Sequence, residues 1–377
     1  MQVYFDNAAT TSLDPRVLEE ILPILQNNYG NPSSIHTLGR QAKTLVEKSR
    51  KTIAQLLNTS PAEIFFTSGG TEADNTAIKS TVETRNLKRI ISSKTEHHAV
   101  LHTLEHLEKN NKIQIDWVEL NKNGDINLNS LEDLLAQNKE QTLVSLMHAN
   151  NEIGNLLPIK EVSEICKQHQ AIFHSDTVQT MGYIPYDLQN LEIDFLVGSA
   201  HKFHGPKGVG FMYVNAKNKI NPFMHGGAQE RNLRGGTENI YGIVGLAKAL
   251  EIAYSELESN KTHIESLKKY FIEKLSFVIP NIEFNGSSGD TTNSFYKVLN
   301  VGFPPSENAD MMLFNLDINK IYVSGGSACA SGTNIGSHVL TALNTNPDSA
   351  AIRFSFSKNN TKDEIDFVIS KLSEIIR

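Results

Sequence analysis

The chain has 377 residues, 39% hydrophobic and 20% charged, with a formal net charge of −7, a length that favours a large domain plus a smaller one over a single core. Charges of both signs are interspersed without a basic stripe, which argues against nucleic acid as the main partner, and no apolar run approaches the roughly 18 residues of a membrane-spanning helix. The opening MQVYFDNAATT lacks the basic and apolar regions of a signal peptide, so the cytoplasm is the expected compartment, and two cysteines, Cys166 and Cys329, make neither a disulfide framework nor a zinc-type spacing.

In chain order, the helical stretch RVLEEILPILQ precedes a series of short apolar runs, EIFFTS, RIISS, TLVSLMH, AIFHSD and DFLVGS, with a second helical stretch, SLEDLLAQN, among them. Such runs lack polar alternation and predict a parallel sheet covered by helices on both faces, hence an α/β fold. From about Asn239 the pattern turns helical through GIVGLAKALEIAYSELES and THIESLKKYFIEKLSFVI, a long connection that places a boundary near residue 256. A polar turn (NGSSGDTTN), a strand-like FYKVLNVGF, a helix-like ADMMLFNLD and the amphipathic DEIDFVISKLSEII then predict a smaller α/β unit.

The ends of the apolar runs carry the chemistry, where open α/β sheets place their ligands. After EIFFTS, Ser68-Gly69-Gly70-Thr71 leads into a helix and reads either as an anion cradle or as an ordinary tight turn. Asp176 closes AIFHSD, with Gln179 three residues on; the carboxylate suits either the ring nitrogen of a pyridine-type cofactor or a helix cap. In FLVGSAHKFHGPKG, Lys202 is a candidate for a lysine whose pKa is lowered enough to form a Schiff base, or else a surface lysine, while Lys207, between proline and glycine, reads as a solvated charge. Ser199 and His201 could hydrogen-bond a phosphate. Cys329, in the small-residue segment VSGGSACASGTN, suits nucleophilic attack, whereas Cys166 sits at helical spacing with Val162 and Ile165 and reads as core.

Together with DNAATT at the N-terminus, SGGTE near residue 70, NNEIG at 150–154, SKTEHHAV, MHGGAQE, RGGT, GSACAS and AIRFS, these residues resemble the class V aminotransferase group of fold-type I pyridoxal phosphate (PLP) enzymes, and within it the cysteine desulfurases of the NifS/IscS type. The resemblance runs from residue 3 to about 370. It implies a large domain over 14–255 with a mainly parallel seven-stranded sheet, and a small domain from 1–13 and 256–377 carrying the cysteine loop. It further implies that Lys202 holds PLP as a Schiff base and removes the substrate α-proton, that Asp176 pairs with the ring nitrogen, and that Gln179 and Asn151 bond the ring's phenolic oxygen. His97, or less well aligned His98, would stack on the ring. Gly70, Thr71, Ser199 and His201 would bind the phosphate, and Thr237 would reach the phosphate of a partner subunit, making a homodimer the expected unit. Arg353 would fork onto the substrate carboxylate unless it makes an ordinary surface salt bridge.

The implied reaction removes sulfur from L-cysteine, giving alanine and a persulfide on Cys329 that passes to an acceptor protein, such as an iron–sulfur scaffold or a sulfur carrier. Two features depart from the family pattern: Gly325 stands where serine is more familiar, and the chain stops at Arg377 without the extension that some members use to dock a scaffold. An aminotransferase or a selenocysteine lyase of the same family is the alternative, and the loop thiol separates them because transamination has no use for it. A catalytically silent binding homologue would usually have lost the lysine or the carboxylate.

Overall fold

The computed structural model describes residues 1–138, 140–305, 311–325, 336–346 and 349–376. A short strand, β1 (Val3–Tyr4), leads to α1 (Pro15–Asn27), whose start is set by Asp14 accepting from the Arg16 amide and by Pro15 in the first turn. Val17, Ile21 and Ile24 recur at helical spacing and form its buried stripe. Helix α2 (Thr37–Leu56) buries Ala42, Val46 and Ile53 in the same way.

Strands and helices then alternate through β2 (Ile64–Thr67), α3 (Gly70–Arg85), β3 (Arg89–Ser92), α4 (His98–Asn111), β4 (Gln114–Trp117) and α5 (Leu128–Gln137). The series continues with β5 (Thr142–Ser145), α6 (Ile159–Gln168), β6 (Ile172–Asp176), β7 (Phe195–Ser199) and β8 (Gly210–Val214). Among the described residues, seven strands form one sheet in the order β2-β8-β7-β6-β5-β3-β4. It is parallel except at β8, which runs antiparallel to both of its neighbours. Every residue of β3, β5, β6 and β7 is buried, which is why these strands read as unbroken apolar runs rather than alternating ones.

The chain leaves β3 outward to β4, then returns to β5 and proceeds through β6 and β7 in the opposite direction. The order therefore reverses between β3 and β5, and the segments that follow these strands diverge around a crevice at their carboxyl ends.

Helices α7 (Ile240–Ser255) and α8 (Leu257–Val278) meet at Glu256, the residue at which the sequence predicts a boundary. α7 packs on α1 and α2. Beyond α8 come β9 (Glu283–Phe284), β10 (Val298–Phe303), α9 (Met312–Ile318), β11 (Ile321–Tyr322), α10 (His338–Ala342), β12 (Ala350–Ser355) and α11 (Lys362–Ile376). β10 pairs antiparallel with β12 and β9, while β1 pairs in parallel with β11, so the first residues of the chain join its last third. The segment after β1 is stitched on both sides: the Asn7 amide donates to Ser355 O at 3.3 Å and the Thr11 amide to His201 O at 2.9 Å. It thus lies between β12 and the turn after β7, over the crevice. Among the described residues, no helix is long and apolar enough to cross a membrane.

Candidate active site

A cavity of about 230 Å³ occupies the crevice. The start of α3 brings Gly70 and Thr71 to it, the cap of α4 brings His97, and the segment after β5 brings Asn151. Asp176 and Gln179 come from the end of β6, Ser199, His201 and Lys202 from the end of β7, and Arg353 from β12. Thr237 does not line this cavity; it borders a separate depression with Thr67, Ser68 and Arg234. Cys329 lies outside the described residues.

Lys202 ends a single 3₁₀ turn (Ala200–Lys202) directly after β7. Its Nζ donates to Ala8 O at 2.7 Å and Ala9 O at 2.9 Å, so the N-terminal segment holds the amine at the cavity wall. Behind it, Lys297 Nζ donates to Lys202 O at 3.0 Å and to the Tyr183 hydroxyl at 2.9 Å. Burial, then the charges of Lys202 and Arg353, push the Lys297 amine well below its ordinary pKa. Lys207 is exposed, as its turn position predicts.

Asp176 is buried, and its Oδ1 accepts from the Val178 amide at 2.9 Å. The helix-cap reading is therefore met in part, by a turn rather than a helix start, and the carboxyl still faces the cavity. Burial raises its pKa, while the Val178 amide and the charge of Lys202 act the other way. Gln179 Nε2 donates to Ala8 O at 2.9 Å, leaving its Oε1 without a partner among the described residues. His97 Nδ1 accepts from the Ala99 amide at 3.1 Å and caps α4. Burial first, then the charge of Lys202, lowers the His97 pKa to about 4, so the imidazole is neutral at physiological pH. His201 is likewise lowered to about 4 by burial and by Lys202, and its Nδ1 lies 3.1 Å from Thr10 Oγ1. His98 turns away from the cavity and stacks on His102 with ring centroids 4.8 Å apart.

Arg353 is fully buried, which removes the surface salt bridge from consideration. Its Nη1 donates to Asn151 O at 2.9 Å and its Nη2 to Asp6 Oδ1 at 2.7 Å, while Nε has no partner among the described residues. Gly70 is packed closely: a Cβ there would stand 2.6 Å from Val178 Cγ2, so that methyl would have to shift. Its bare backbone lets the amides at the start of α3 approach the cavity.

Sequence reasoning missed three groups at or near the site. Asp74, one turn into α3, and Met147, after β5, line the cavity. Lys297 was visible as a lysine inside the apolar FYKVLN run, a signal that something inside requires a cation. Asp74 gave no comparable signal, because an acidic residue in the first turns of a helix usually faces water. No group of residues able to hold a metal occurs among the described residues.

A reachable lysine, a buried aspartate and neutral imidazoles around one cavity at the carboxyl ends of a parallel sheet define an α/β enzyme of the kind that uses PLP. The residues fit that cofactor: Asp176 offers a buried carboxyl to a ring N–H, Gln179 an unpartnered amide oxygen, Lys202 an amine, and Gly70 an open backbone for a phosphate. The aminotransferase class-V family model matches residues 3–368, and the chain belongs to that family, whose members are PLP-dependent. It is 41% identical over 379 residues to the cysteine desulfurase IscS of Dictyoglomus turgidum, across 100% of this chain and 94% of that one. A solved NifS-like protein superimposes with a TM-score of 0.90 at 40% identity, covering 100% of this chain and 99% of that one. A structure of SspA in complex with cysteine matches with a TM-score of 0.81 at 31% identity, over 96% of this chain and 100% of that one.

Proposed function

We propose that the protein is a PLP-dependent cysteine desulfurase that takes sulfur from L-cysteine and passes it to an acceptor protein. The observation that carries this reading is the convergence of Lys202, Asp176 and Arg353 on one cavity. Lys202 would hold the cofactor through a Schiff base, Asp176 would pair with its ring nitrogen, and Asn151 and Gln179 would bond its phenolic oxygen. Gly70, Thr71, Ser199 and His201 would take the phosphate, with the neutral His97 against the ring. When bound, the cofactor supplies an electron-withdrawing ring to the amino acid joined to it.

Arg353, whose side chain lines the cavity, binds the substrate carboxylate through its guanidinium. Lys202 acts as general base on the α-proton, with the neutral His97 beside it as a relay. The thiolate of Cys329 attacks the substrate sulfur: an S–S bond forms, the C–S bond breaks and its electron pair stays with the substrate; Cβ then takes a proton, Lys202 returns the proton it removed to Cα, and alanine leaves. The persulfide on Cys329 then moves to an iron–sulfur scaffold or a sulfur carrier. The same reading divides the chain into a large domain, 14–255, and a small one, 1–13 with 256–377. It places the protein in the cytoplasm as a homodimer in which Thr237 reaches the partner subunit's phosphate. The position of Thr237 in a depression of its own is compatible with that assignment.

The test is mass spectrometry of the PLP-loaded protein after L-cysteine, alongside alanine and sulfide assays. A gain of one sulfur at Cys329, with alanine and sulfide formed in equal amounts under reductant, supports the reading. Undiminished sulfide release by Cys329→Ala overturns it.

A further inference from the structure

Two carboxyls, not one, stand in the floor of the cavity. Asp74, on α3, packs against β6, where His174 and Asp176 lie two residues apart and so share one face of the strand. Asp74 Oδ1 is 3.3 Å from His174 Nε2, both side chains are within about 1% of complete burial, and neither atom makes a hydrogen bond to any group among the described residues. The other ring nitrogen, His174 Nδ1, lies 2.9 Å from Ser145 Oγ.

The surroundings of these atoms favour one placement of protons. Were His174 to carry its proton on Nε2 and Asp74 to be ionised, two carboxylates, Asp74 and Asp176, would share one dry interior, beside Glu96, which burial itself holds towards its neutral form. With the proton on Nδ1, His174 donates to Ser145 and offers Nε2 as an acceptor, which a protonated Asp74, 3.3 Å away, can reach as a donor. We propose that Asp74 is a positioning residue of this site, a neutral carboxylic acid that donates to His174 Nε2 and leaves Asp176 as the anion available to a cofactor ring nitrogen. Burial, with Asp176 and Glu96, raises Asp74 well above the usual carboxylate range, and burial holds His174 down to about 3, so both members are neutral near pH 7. Lys202 is the cation that faces Asp176 from the turn after β7 and favours charge there rather than on Asp74.

The role of Asp176 rests on the PLP reading above, but the protonation of Asp74 does not, and the experiment separates them. Infrared difference spectra of the cofactor-free protein at pH 7.5, wild type minus Asp74→Asn, show loss of a protonated carboxyl band; its absence overturns the proposal whatever the protein binds. PLP affinity and the pH at which the bound cofactor's visible band changes are then measured in Asp74→Asn and Asp74→Ala. The asparagine amide can still donate to His174, so Asp74→Asn stays within about twofold of wild type, while Asp74→Ala strands a buried acceptor and weakens PLP about tenfold or more. Equal losses in both variants mean that the charge of Asp74 matters, and wild-type behaviour in both means that the residue has no such role; either result overturns the proposal. Should Asp74→Ala fail to fold, Asp74→Leu replaces it and the band measurement still decides.

Discussion

Two buried arginines in this molecule, one paired with a buried carboxylate and one with a half-buried one, use the same chemistry to opposite ends. Arg50 on α2 meets Glu230 with Nη1 and Nη2 each 2.8 Å from a carboxylate oxygen, and Nη1 also reaches Ile64 O at 2.8 Å. Glu230 accepts in addition from the Phe66 amide at 2.8 Å, and the guanidinium lies 4.7 Å from the centre of the Phe66 ring. Arg353 is as well buried, yet it has one carboxylate contact, one carbonyl contact and an unpartnered Nε beside a cavity. The first pair is saturated and fixes a segment in which Glu230, Arg231 and Asn232 all hold positive φ, a backbone state that non-glycine residues adopt only under constraint. The second is left partly unsatisfied, which is tolerable in a folded protein when a ligand completes it. Incomplete satisfaction at a cavity marks function, and completeness marks scaffold.

Lys202→Ala presses the contrast hardest. Without the amine, sulfide release from L-cysteine falls by on the order of 10⁴-fold, while thermal unfolding stays near wild type; a variant that keeps a tenth of the activity breaks the account. Glu230→Gln should show the reverse, a loss of about 3–5 kcal/mol in denaturant unfolding because a buried guanidinium loses its charge partner, with an unchanged KM for L-cysteine in the folded protein. Arg353→Lys keeps the charge but not the fork, and steady-state kinetics should show kcat/KM lower by about 100-fold, with a smaller effect on unfolding than Glu230→Gln.

Lys268 sharpens the comparison from a third position, because it is buried away from the cavity with Ser294 Oγ at 2.7 Å and Phe295 O at 3.3 Å for partners. Burial lowers its pKa to about 7. Between pH 7 and about pH 10 the unfolded chain therefore binds a proton that the folded chain does not, and stability rises with pH across that window. Lys268→Met should flatten the rise without altering catalysis, and a slope equal to wild type in urea unfolding at pH 7, 8.5 and 10 would assign the cost elsewhere.

Much of this was legible because buried parallel strands write themselves as apolar runs, and a polar residue that closes such a run, as Asp176 closes β6 and Ser199 closes β7, has few reasons to be there other than chemistry. The direction of β8 was not legible, since composition carries no sense of strand polarity, and two-residue strands such as β1, β9 and β11 leave no period to read. Asp74 escaped because its burial comes from β6 packing across α3, a tertiary fact. Lys297 was visible as an oddity, but that it holds the carbonyl of Lys202 depends on strands far apart in the chain. Cys166, by contrast, is buried as its helical spacing required.

The central claim is that Lys202 anchors the cofactor. Borohydride reduction of the PLP-loaded protein, followed by peptide mass spectrometry, tests it most directly. The account predicts a reduced pyridoxyl group on Lys202 alone; a label on Lys297 or Lys207, or none on any lysine, would contradict it.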